Sequence, residues 1–348
     1  MSLPLAVIGM GMVTAVGYNA PASLAALRAG VSGIRMVAWA DPQSGEPFRC
    51  ARVSLPQRWG GVRLFADLVA PAVLECLGAS GTELLRSTPI LLGVSEQGRP
   101  GRPESLEREL LDALYGRLGS QPHPESRTYA TGQTGCAHAV LEAQRLIETR
   151  GAPAVLIAGV DSFINRVTLE AYAHRRRILT PANFNGFLPG EAGSAVLVSA
   201  APRDFGGVRI TGWGYAQESA TIEATRPFRG EGLTDAVRIA LKTAGIGLQD
   251  VGFRVTDVSG EHYKFKEAMF VAMRLDKGSR PTPLDLWHPI EYLGEVGAAI
   301  LPCLFAWVSH AVRAGYAPGS RALCHVGNDA GERAAFVVEG PEFKGGRD

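Results

Sequence analysis

Two kinds of apolar pattern alternate along the chain. Short uncharged runs between turn residues predict buried strands, and longer runs with apolar positions three and four residues apart predict amphipathic helices. The predicted strands are 5–13, 89–94, 126–130, 154–159, 208–214, 253–259 and 322–327. The predicted helices are 23–28, 62–77, 110–118, 136–150, 233–244 and 294–312. Two segments rich in Pro, Gly and polar side chains, 40–60 and 96–107, are predicted to be surface loops.

The order of these elements repeats after Gly207. The strand at 208–214 corresponds to the first strand, and the helix at 233–244 corresponds to the helix at 62–77. The strand at 322–327 likewise corresponds to the strand that ends at Gly159. A strand and helix order repeated at half the chain length predicts two similar α/β halves packed together, 1–205 and 206–348.

Composition excludes several classes of function. The 348 residues include 35 basic and 34 acidic ones, a net charge of +1, so the sequence predicts no nucleic-acid partner and no anionic membrane surface. No apolar run reaches the length of about 18 residues that spans a bilayer. The five cysteines are scattered without CxxC spacing, which favours a reducing, cytoplasmic location over disulfides or a zinc site. We therefore expect no metal and no cofactor, since the glycine pair at Gly9 and Gly11 lacks the rest of a dinucleotide motif.

The loop at 130–135 leads directly into the predicted helix at 136–150, and glycines flank it. The first N–H groups of a helix have no partner within the helix, and its dipole is positive at this end. Such a loop can hold a nucleophile or stabilise an oxyanion. The residues available there for chemistry are Gln133 and Cys136.

Three stretches together resemble the β-ketoacyl synthases of the thiolase superfamily. They are this loop and helix, the opening strand and turn with Gly30-Val31-Ser32-Gly33-Ile34, and the run Gly186-Phe187-Leu188-Pro189-Gly190-Glu191-Ala192-Gly193. The resemblance implies a thiolase-like fold, in which duplicated βαβ halves form a five-layer αβαβα sandwich. It also implies that Glu191 supports the floor of the active site. In that superfamily the strand before the loop lies at a two-fold dimer interface, which implies a homo- or heterodimer here.

The position of the synthase nucleophile is occupied by a residue that cannot attack a thioester. When 138–143 is aligned with the family's helix without a gap, the nucleophile position falls on Gln133, and Cys136 lies one helical turn further on. The alternative is that the loop is three residues shorter and that Cys136 is the nucleophile. We favour the gap-free alignment, in which Cys136 is a small buried hydrophobic residue.

Three further positions depart from the synthase pattern. His262 follows the second-half strand where the first catalytic histidine is expected, but without the small-residue loop that normally accompanies it. The second catalytic histidine aligns with Glu291, a carboxylate that would repel an enolate oxygen. The phenylalanine that gates the acyl pocket aligns with Asp329, whose charge is costly beside an acyl chain.

These departures predict a synthase-like protein that lacks condensing activity and serves as an accessory or assembly partner. The two accessory roles implied are those of a chain-length factor and of a protein associated with a type VI secretion effector. The alternatives are an active 3-oxoacyl synthase or acyltransferase that uses Cys136, or a malonyl-thioester decarboxylase of the Gln133 type. An acyl carrier protein and a secretion effector or adaptor are the candidate partners. The run Arg175-Arg176-Arg177 is interpreted as a solvated cationic turn, with docking of an acidic partner as the alternative.

Overall fold

The computed structural model describes residues 3–202, 204–278, 280 and 283–341. The strands in this part of the chain are β1 Leu5–Val13, β2 Ile34–Ala40, β3 Pro47–Ala51, β4 Ile90–Gly93, β5 Arg127–Tyr129, β6 Val155–Ser162, β7 Glu191–Ala200, β8 Arg209–Gln217, β9 Phe253–Thr256, β10 Asp285–Trp287, β11 Arg321–Gly327 and β12 Glu332–Glu339. The α-helices are α1 Ala20–Arg28, α2 Val62–Leu77, α3 Leu106–Leu118, α4 Gly135–Arg150, α5 Arg166–His174, α6 Glu231–Ala244, α7 His262–Leu275, α8 Ile290–Leu293 and α9 Ile300–Arg313.

Ten strands form one sheet whose order repeats about its centre. The order is β10-β9-β11-β12-β8-β1-β7-β6-β4-β5, and each half of the list has the same connectivity. In both halves the outer strands pair in parallel and the inner strands pair antiparallel. The halves meet where β1 and β8 pair antiparallel through Leu5–Ile210 and Ala6–Arg209.

Helices cover both faces of each half and create five layers. α4 and α9 lie in the middle layer, and one continuous apolar core joins their side chains to strands of both halves. α2 and α3 pack on the outer face of the first half, and α6 and α7 cover the second. The predicted fold class, a thiolase-like αβαβα sandwich of duplicated halves, is therefore confirmed.

The glycine pairs in β1 and β8 allow the outer helices to approach the sheet. A Cβ atom on Gly11 would lie 2.0 Å from the carbonyl oxygen of Ala72 in α2. The equivalent position, Gly214, would bring a Cβ atom within 2.0 Å of the carbonyl oxygen of Ala236 in α6. Gly11 therefore serves helix packing, and the same device recurs in the second half.

Each middle helix begins with the same turn. A 3₁₀ turn at Gly132–Thr134 leads into α4, and a 3₁₀ turn at Gly297–Ala299 leads into α9. Gly132 and Gly297 adopt φ values of 62° and 51°, which favour glycine. The two turns contact each other, so the beginnings of both helices meet near the centre of the molecule.

One prediction about the elements was wrong, and several elements were not predicted, among them α5, α7 and β12. The predicted loop at 40–60 contains β3, which pairs with β2 as a separate two-stranded ribbon. Helix α7 was not predicted, because its solvent-facing side carries Phe265, Met269 and Met273 and so lacks the usual alternation of apolar and polar faces.

Candidate functional site

A small cavity lies at the beginning of α4, where the two halves meet. Its volume is about 40 Å³, room for a few water molecules. Polar and charged side chains make up most of its wall, together with three aromatic rings. The lining residues are Glu96, Arg99, Gln133, Phe163, Tyr172, Arg177, Phe187, Glu261, Lys264, Glu295, Asn328, Asp329 and Ala330. None of these described residues carries a thiol or an imidazole.

Gln133 occupies the entrance to α4. It lies in the 3₁₀ turn that precedes the helix, its residue is buried, and it lines the cavity. The turn is held by Asn328, whose side-chain amide donates to the Thr131 carbonyl oxygen at 3.0 Å and to Thr134 Oγ1 at 2.9 Å. The second half of the chain thus fixes the loop that presents Gln133.

Cys136 lies behind this loop and is fully buried. Its sulfur lies 3.3 Å from the carbonyl oxygen of Ala158 and 3.2 Å from that of Ala298, and its single S–H can donate to either one. Glycines leave room for the sulfur, since a Cβ atom on Gly93 or Gly159 would lie 2.7 or 2.8 Å from it. Burial raises the pKa of the Cys136 thiol well above its usual value, so the reactive thiolate is suppressed. Cys136 is not among the residues that line the cavity.

Arg177 crosses the cavity wall and pairs with two carboxylates. Its Nε and Nη2 donate to the Glu261 carboxylate at 2.6 and 2.9 Å, and its Nη1 donates to Asp329 Oδ2 at 2.6 Å. Burial by itself would raise the pKa of Asp329, but Arg177 outweighs this effect and holds the pKa below its ordinary value. Asp329, predicted at the acyl gate, therefore closes the cavity as part of an ion pair.

A second ion pair lies deeper in the site. Lys264 Nζ donates to Asp257 Oδ2 at 2.7 Å, and Asp257 also accepts from the Gly327 N–H at 3.0 Å. Burial opposes the charge of Lys264, but Asp257 and the nearby Glu295 raise its pKa. Burial raises the pKa of Glu295 to about 7, while Lys264 acts in the opposite direction. Glu295 accepts from the Gly297 N–H at 2.9 Å, at the turn before α9.

A third pair joins the loop after β4 to the end of β6. Arg99 Nη1 donates to Asp161 Oδ1 at 2.7 Å, and its Nε donates to Glu96 Oε1 at 2.9 Å. Its guanidinium lies 3.8 Å from the ring centroid of Phe163, a cation–π contact. Asp161 also accepts from the Ala298 N–H at 3.1 Å. The cations of the cavity therefore all have carboxylate partners within the protein.

Besides Cys136, two further residues singled out from the sequence do not reach the cavity. His262 is the first residue of α7 and is exposed; its backbone N–H donates to Asn185 Oδ1 at 2.8 Å. Glu291 is exposed on the short helix α8. The structure instead places Glu295, four residues later, in the wall of the cavity.

Glu191 lies at the start of β7 and is completely buried. Its carboxylate accepts two hydrogen bonds from the Arg58 guanidinium, both at 2.7 Å, and one from Ser162 Oγ at 2.8 Å. The Val53 N–H donates to it at 3.0 Å. These contacts fasten β7 to the segment after β3, which is consistent with a role in supporting the structure.

Several lining residues were not singled out as site residues from the sequence. Arg177 was interpreted as part of a solvated cationic turn, whereas its side chain is buried in the cavity wall. Glu261, Lys264 and Glu295 lie in the two segments that were aligned with the histidine motifs of the synthases, but the alignment drew attention to His262 and Glu291 instead. The one available signal was their charge beside predicted buried strands and turns, where a charged residue requires a partner.

Neither metal binding nor membrane crossing is supported by an arrangement of the described residues. Within 3–202, 204–278, 280 and 283–341, no three His, Cys, Asp or Glu side chains form a group that could hold a metal ion. In the same ranges no helix combines the length and the apolar character required to cross a bilayer.

Comparisons with known proteins show a likeness in structure. No protein-family model matches the chain, and no curated protein matches its sequence. A structure of a ketosynthase in complex with its chain length factor from Xenorhabdus doucetiae superposes with a TM-score of 0.77 at 14% identity, covering 97% of this chain and 98% of that chain. The ishigamide ketosynthase/chain length factor matches with a TM-score of 0.71 at 20% identity, covering 97% and 99%.

A third solved structure contains a type II polyketide acyl-carrier protein in complex with its ketosynthase. It matches with a TM-score of 0.77 at 13% identity, covering 98% of this chain and 100% of that chain. At these identities the likeness concerns the fold alone. The chain has the thiolase-like fold of the ketosynthases and chain length factors.

Proposed function

We propose that this protein is a non-condensing partner subunit of a ketosynthase, similar in role to a chain length factor. One observation carries the proposal: the cavity at the beginning of α4 presents Gln133 and paired charges, where condensation requires a thiolate and imidazoles. The fold shared with ketosynthases and chain length factors supports it.

The cavity also lacks room for an acyl chain. Ligand pockets in proteins typically have volumes of roughly 300–1,000 Å³, whereas this cavity has about 40 Å³. Opening it would require Arg177 to leave Glu261, and a buried charge without its partner is costly. The Arg177–Glu261 pair thus restricts the space that a substrate would occupy.

Acyl transfer by Cys136 is the first alternative, and the geometry opposes it. The thiol is fully buried, lies within hydrogen-bonding distance of two carbonyl oxygens and has a raised pKa, so it is neither accessible nor ionised. Acylation would require the helix to withdraw from Gly93 and Gly159, against which the sulfur packs.

Decarboxylation of a malonyl thioester at Gln133 is the second alternative. A malonyl carboxylate would enter a cavity lined by Glu261, Glu295 and Asp329, and the cations there already have partners. Like charges in so small a space disfavour binding. Gln133 supplies an amide, but no imidazole lines the wall to stabilise the enolate.

The edge of the sheet supports a dimeric arrangement. β5 is the last strand of the ten, and Arg127 and Tyr129 on it remain partly exposed. Leu141 on the adjacent α4 is an exposed apolar residue, close to the Arg127–Glu142 and Arg145–Glu142 ion pairs. An edge strand beside an apolar side chain can pair with a second subunit. We infer that this edge binds the partner ketosynthase.

The test is co-expression with a ketosynthase and an acyl carrier protein encoded in the same host. We expect a heterodimer by mass photometry, acylation of the ketosynthase alone by intact mass spectrometry, and loss of polyketide product when this chain is omitted. Acylation of Cys136, or carbon dioxide release that disappears in Gln133→Ala, would contradict the proposal.

The effector-associated role predicts a different result in the same experiment. In that case the chain would purify without a ketosynthase, and product formation would not depend on it. A complex with a secretion effector or adaptor, detected by the same mass measurement, would then replace the proposed heterodimer.

A further inference from the structure

The solvent-facing side of α7 is apolar. Phe265, Met269 and Met273 are exposed to 37, 60 and 74%. They are spaced four residues apart on a helix of 14 residues, so they lie along one face. We refer to these three residues as the α7 patch.

The opposite side of α7 shows that this orientation is fixed. Ala268 and Val271 are buried against the sheet, and the buried Glu267 accepts from Arg333 Nε at 2.7 Å. Turning the helix to hide the α7 patch would expose this core and break a buried ion pair. The apolar side therefore faces outward in the folded protein, and such a surface usually marks an interaction site.

Most exposed charges around the α7 patch are basic. Lys266 on the helix and Lys277 directly after it are exposed, whereas Glu267 is buried and Asp276 is paired with Arg280. Arg274 is also exposed, but its Nη1 donates to the Gly230 carbonyl oxygen at 3.2 Å and to Thr234 Oγ1 at 3.0 Å. The loop at 226–229 packs against α7 through Phe228, whose ring stacks on Tyr263 at 4.1 Å. This loop adds Arg226 and Arg229, both exposed, and Arg229 lies 3.9 Å from Glu231.

We propose that the α7 patch binds an acidic amphipathic helix of a partner protein. Apolar residues of that helix pack on Phe265, Met269 and Met273, and its carboxylates face Lys266 and Lys277. Methionine suits this role because its flexible side chain adapts to different apolar surfaces, and the mode of recognition is helix against helix. The proposal goes beyond the proposed function, since α7 lies in the outer layer and β5 lies at the far edge of the other half.

The test uses the full chain and a synthetic helical peptide of about 20 residues with leucines on one face and glutamates on the other. A matched peptide carries lysines in place of the glutamates. Fluorescence anisotropy is expected to show micromolar binding of the acidic peptide and no binding of the basic one. The double variant M269E/M273E is expected to weaken binding by about tenfold or more, and binding is expected to weaken as salt increases.

Met36→Glu is the control, because Met36 is 75% exposed on β2, outside α7. It adds one negative charge, half of what the double variant adds, and is expected to bind the acidic peptide like the wild type. Circular dichroism verifies that all variants remain folded. Equal binding of both peptides, no binding of the acidic peptide, or an M269E/M273E variant that binds normally would overturn the proposal. Conversion of a homodimer to a monomer by that variant would also overturn it, because the occupant would then be a second copy.

Discussion

Arg177 illustrates how a buried charge closes a site. Its partner Glu261 has a side chain that is only 4% exposed, so both charges have lost most of the bulk water that would solvate them in the unfolded chain. A buried pair contributes little net stability compared with apolar residues, yet removing one partner is strongly destabilising. The pair is therefore hard to open, which is what an inactive cavity requires.

Arg177→Met is expected to lower the free energy of unfolding by about 3–5 kcal/mol, because it leaves Glu261 buried without its cation. Urea denaturation measures the change. The matched control is Arg166→Met, which removes an exposed pair with Glu170 and is expected to cost about 0.5 kcal/mol or less. Adding Glu261→Gln to Arg177→Met should recover part of the loss; no recovery would show that the arginine acts by packing alone.

Glu295 predicts a pH dependence of stability. Burial raises its pKa from 4.5 to about 7, so between these values the folded protein holds a proton that the unfolded chain releases. Stability from this group is full below pH 4.5 and is lost as the pH rises through 7, by on the order of 3 kcal/mol. Glu295→Gln should therefore match the wild type at pH 5 and exceed it in stability at pH 8.

Denaturation at pH 5, 6, 7 and 8 tests this expectation. Glu291→Gln serves as the control, since Glu291 is exposed on α8, and it should follow the wild-type profile. An equal effect of Glu295→Gln at both ends of the range would show that the carboxyl is not protonated in the folded protein.

Gln133→Cys tests whether the residue at the nucleophile position would by itself account for the proposed lack of condensing activity. The new thiol would be buried beside Glu261 and Asp329, and both burial and negative charge raise a thiol pKa. We expect no acyl adduct after incubation with an acyl thioester, measured by intact mass spectrometry. An added acyl mass on residue 133 would show that the cavity opens for substrate and that a single substitution separates this chain from a synthase.

At the scale of whole elements, close packing of sheet and helix depends on the paired glycines. Gly11→Ala and Gly214→Ala would each force a methyl group against a helix carbonyl oxygen, at 2.0 Å before any movement. Overpacking of this kind costs about 1–3 kcal/mol. We expect the loss of unfolding free energy to lie in or above that range for both variants in thermal or urea denaturation. The two losses should be similar, because the same contact between a strand glycine and a helix carbonyl oxygen occurs in both halves.

Gly116→Ala is the control for these glycines. Gly116 lies in α3 with no neighbouring atom within 4 Å of an added Cβ, so alanine should stabilise the helix by about 0.5–1 kcal/mol. Destabilisation by Gly116→Ala would indicate that loss of glycine is costly here for reasons other than packing.

Most elements could be predicted from the sequence because burial alone sets their pattern of apolar and polar residues. Buried strands such as β4 and β6 consist of apolar and small residues, and α2 has a clear apolar face. Helix α7 could not be predicted, because the α7 patch places apolar residues on the side where polar ones are the rule. The prediction failed at the surface for which we propose a partner.

The candidate site was partly predictable for a different reason. Gln133 follows a glycine loop and precedes a helix, so its position is set by neighbours in the sequence. Arg177, Glu261 and Glu295 come from three separate segments, and their meeting depends on how the halves pack. Glu291 was selected by aligning a motif, whereas the turn before α9 brings Glu295 into the wall instead.

At the scale of the whole molecule, the edge strand β5 predicts how subunits assemble. Adding a charge at Leu141 on α4, by Leu141→Asp, should weaken the proposed heterodimer with a ketosynthase by about tenfold or more, because it would place a carboxylate in the apolar part of the proposed interface. Sedimentation velocity at several concentrations measures the change. Leu74→Asp, at an exposed apolar residue of α2, is the control and should leave assembly unchanged; a dimer insensitive to Leu141→Asp would place the interface elsewhere.

The short pairing between β1 and β8 bears on which positions are expected to covary in evolution. Among the described residues, β1 and β8 pair through Leu5–Ile210 and Ala6–Arg209, with one further hydrogen bond from the Val7 N–H to the Val208 carbonyl oxygen at 2.9 Å. Much of the cohesion between the halves therefore comes from the side chains of α4 and α9. A substitution that changes side-chain volume on one of these helices is therefore expected to require a compensating substitution on the other. Positions in α4 and α9 are expected to covary among descendants of this chain, even where residues of the surrounding strands vary independently.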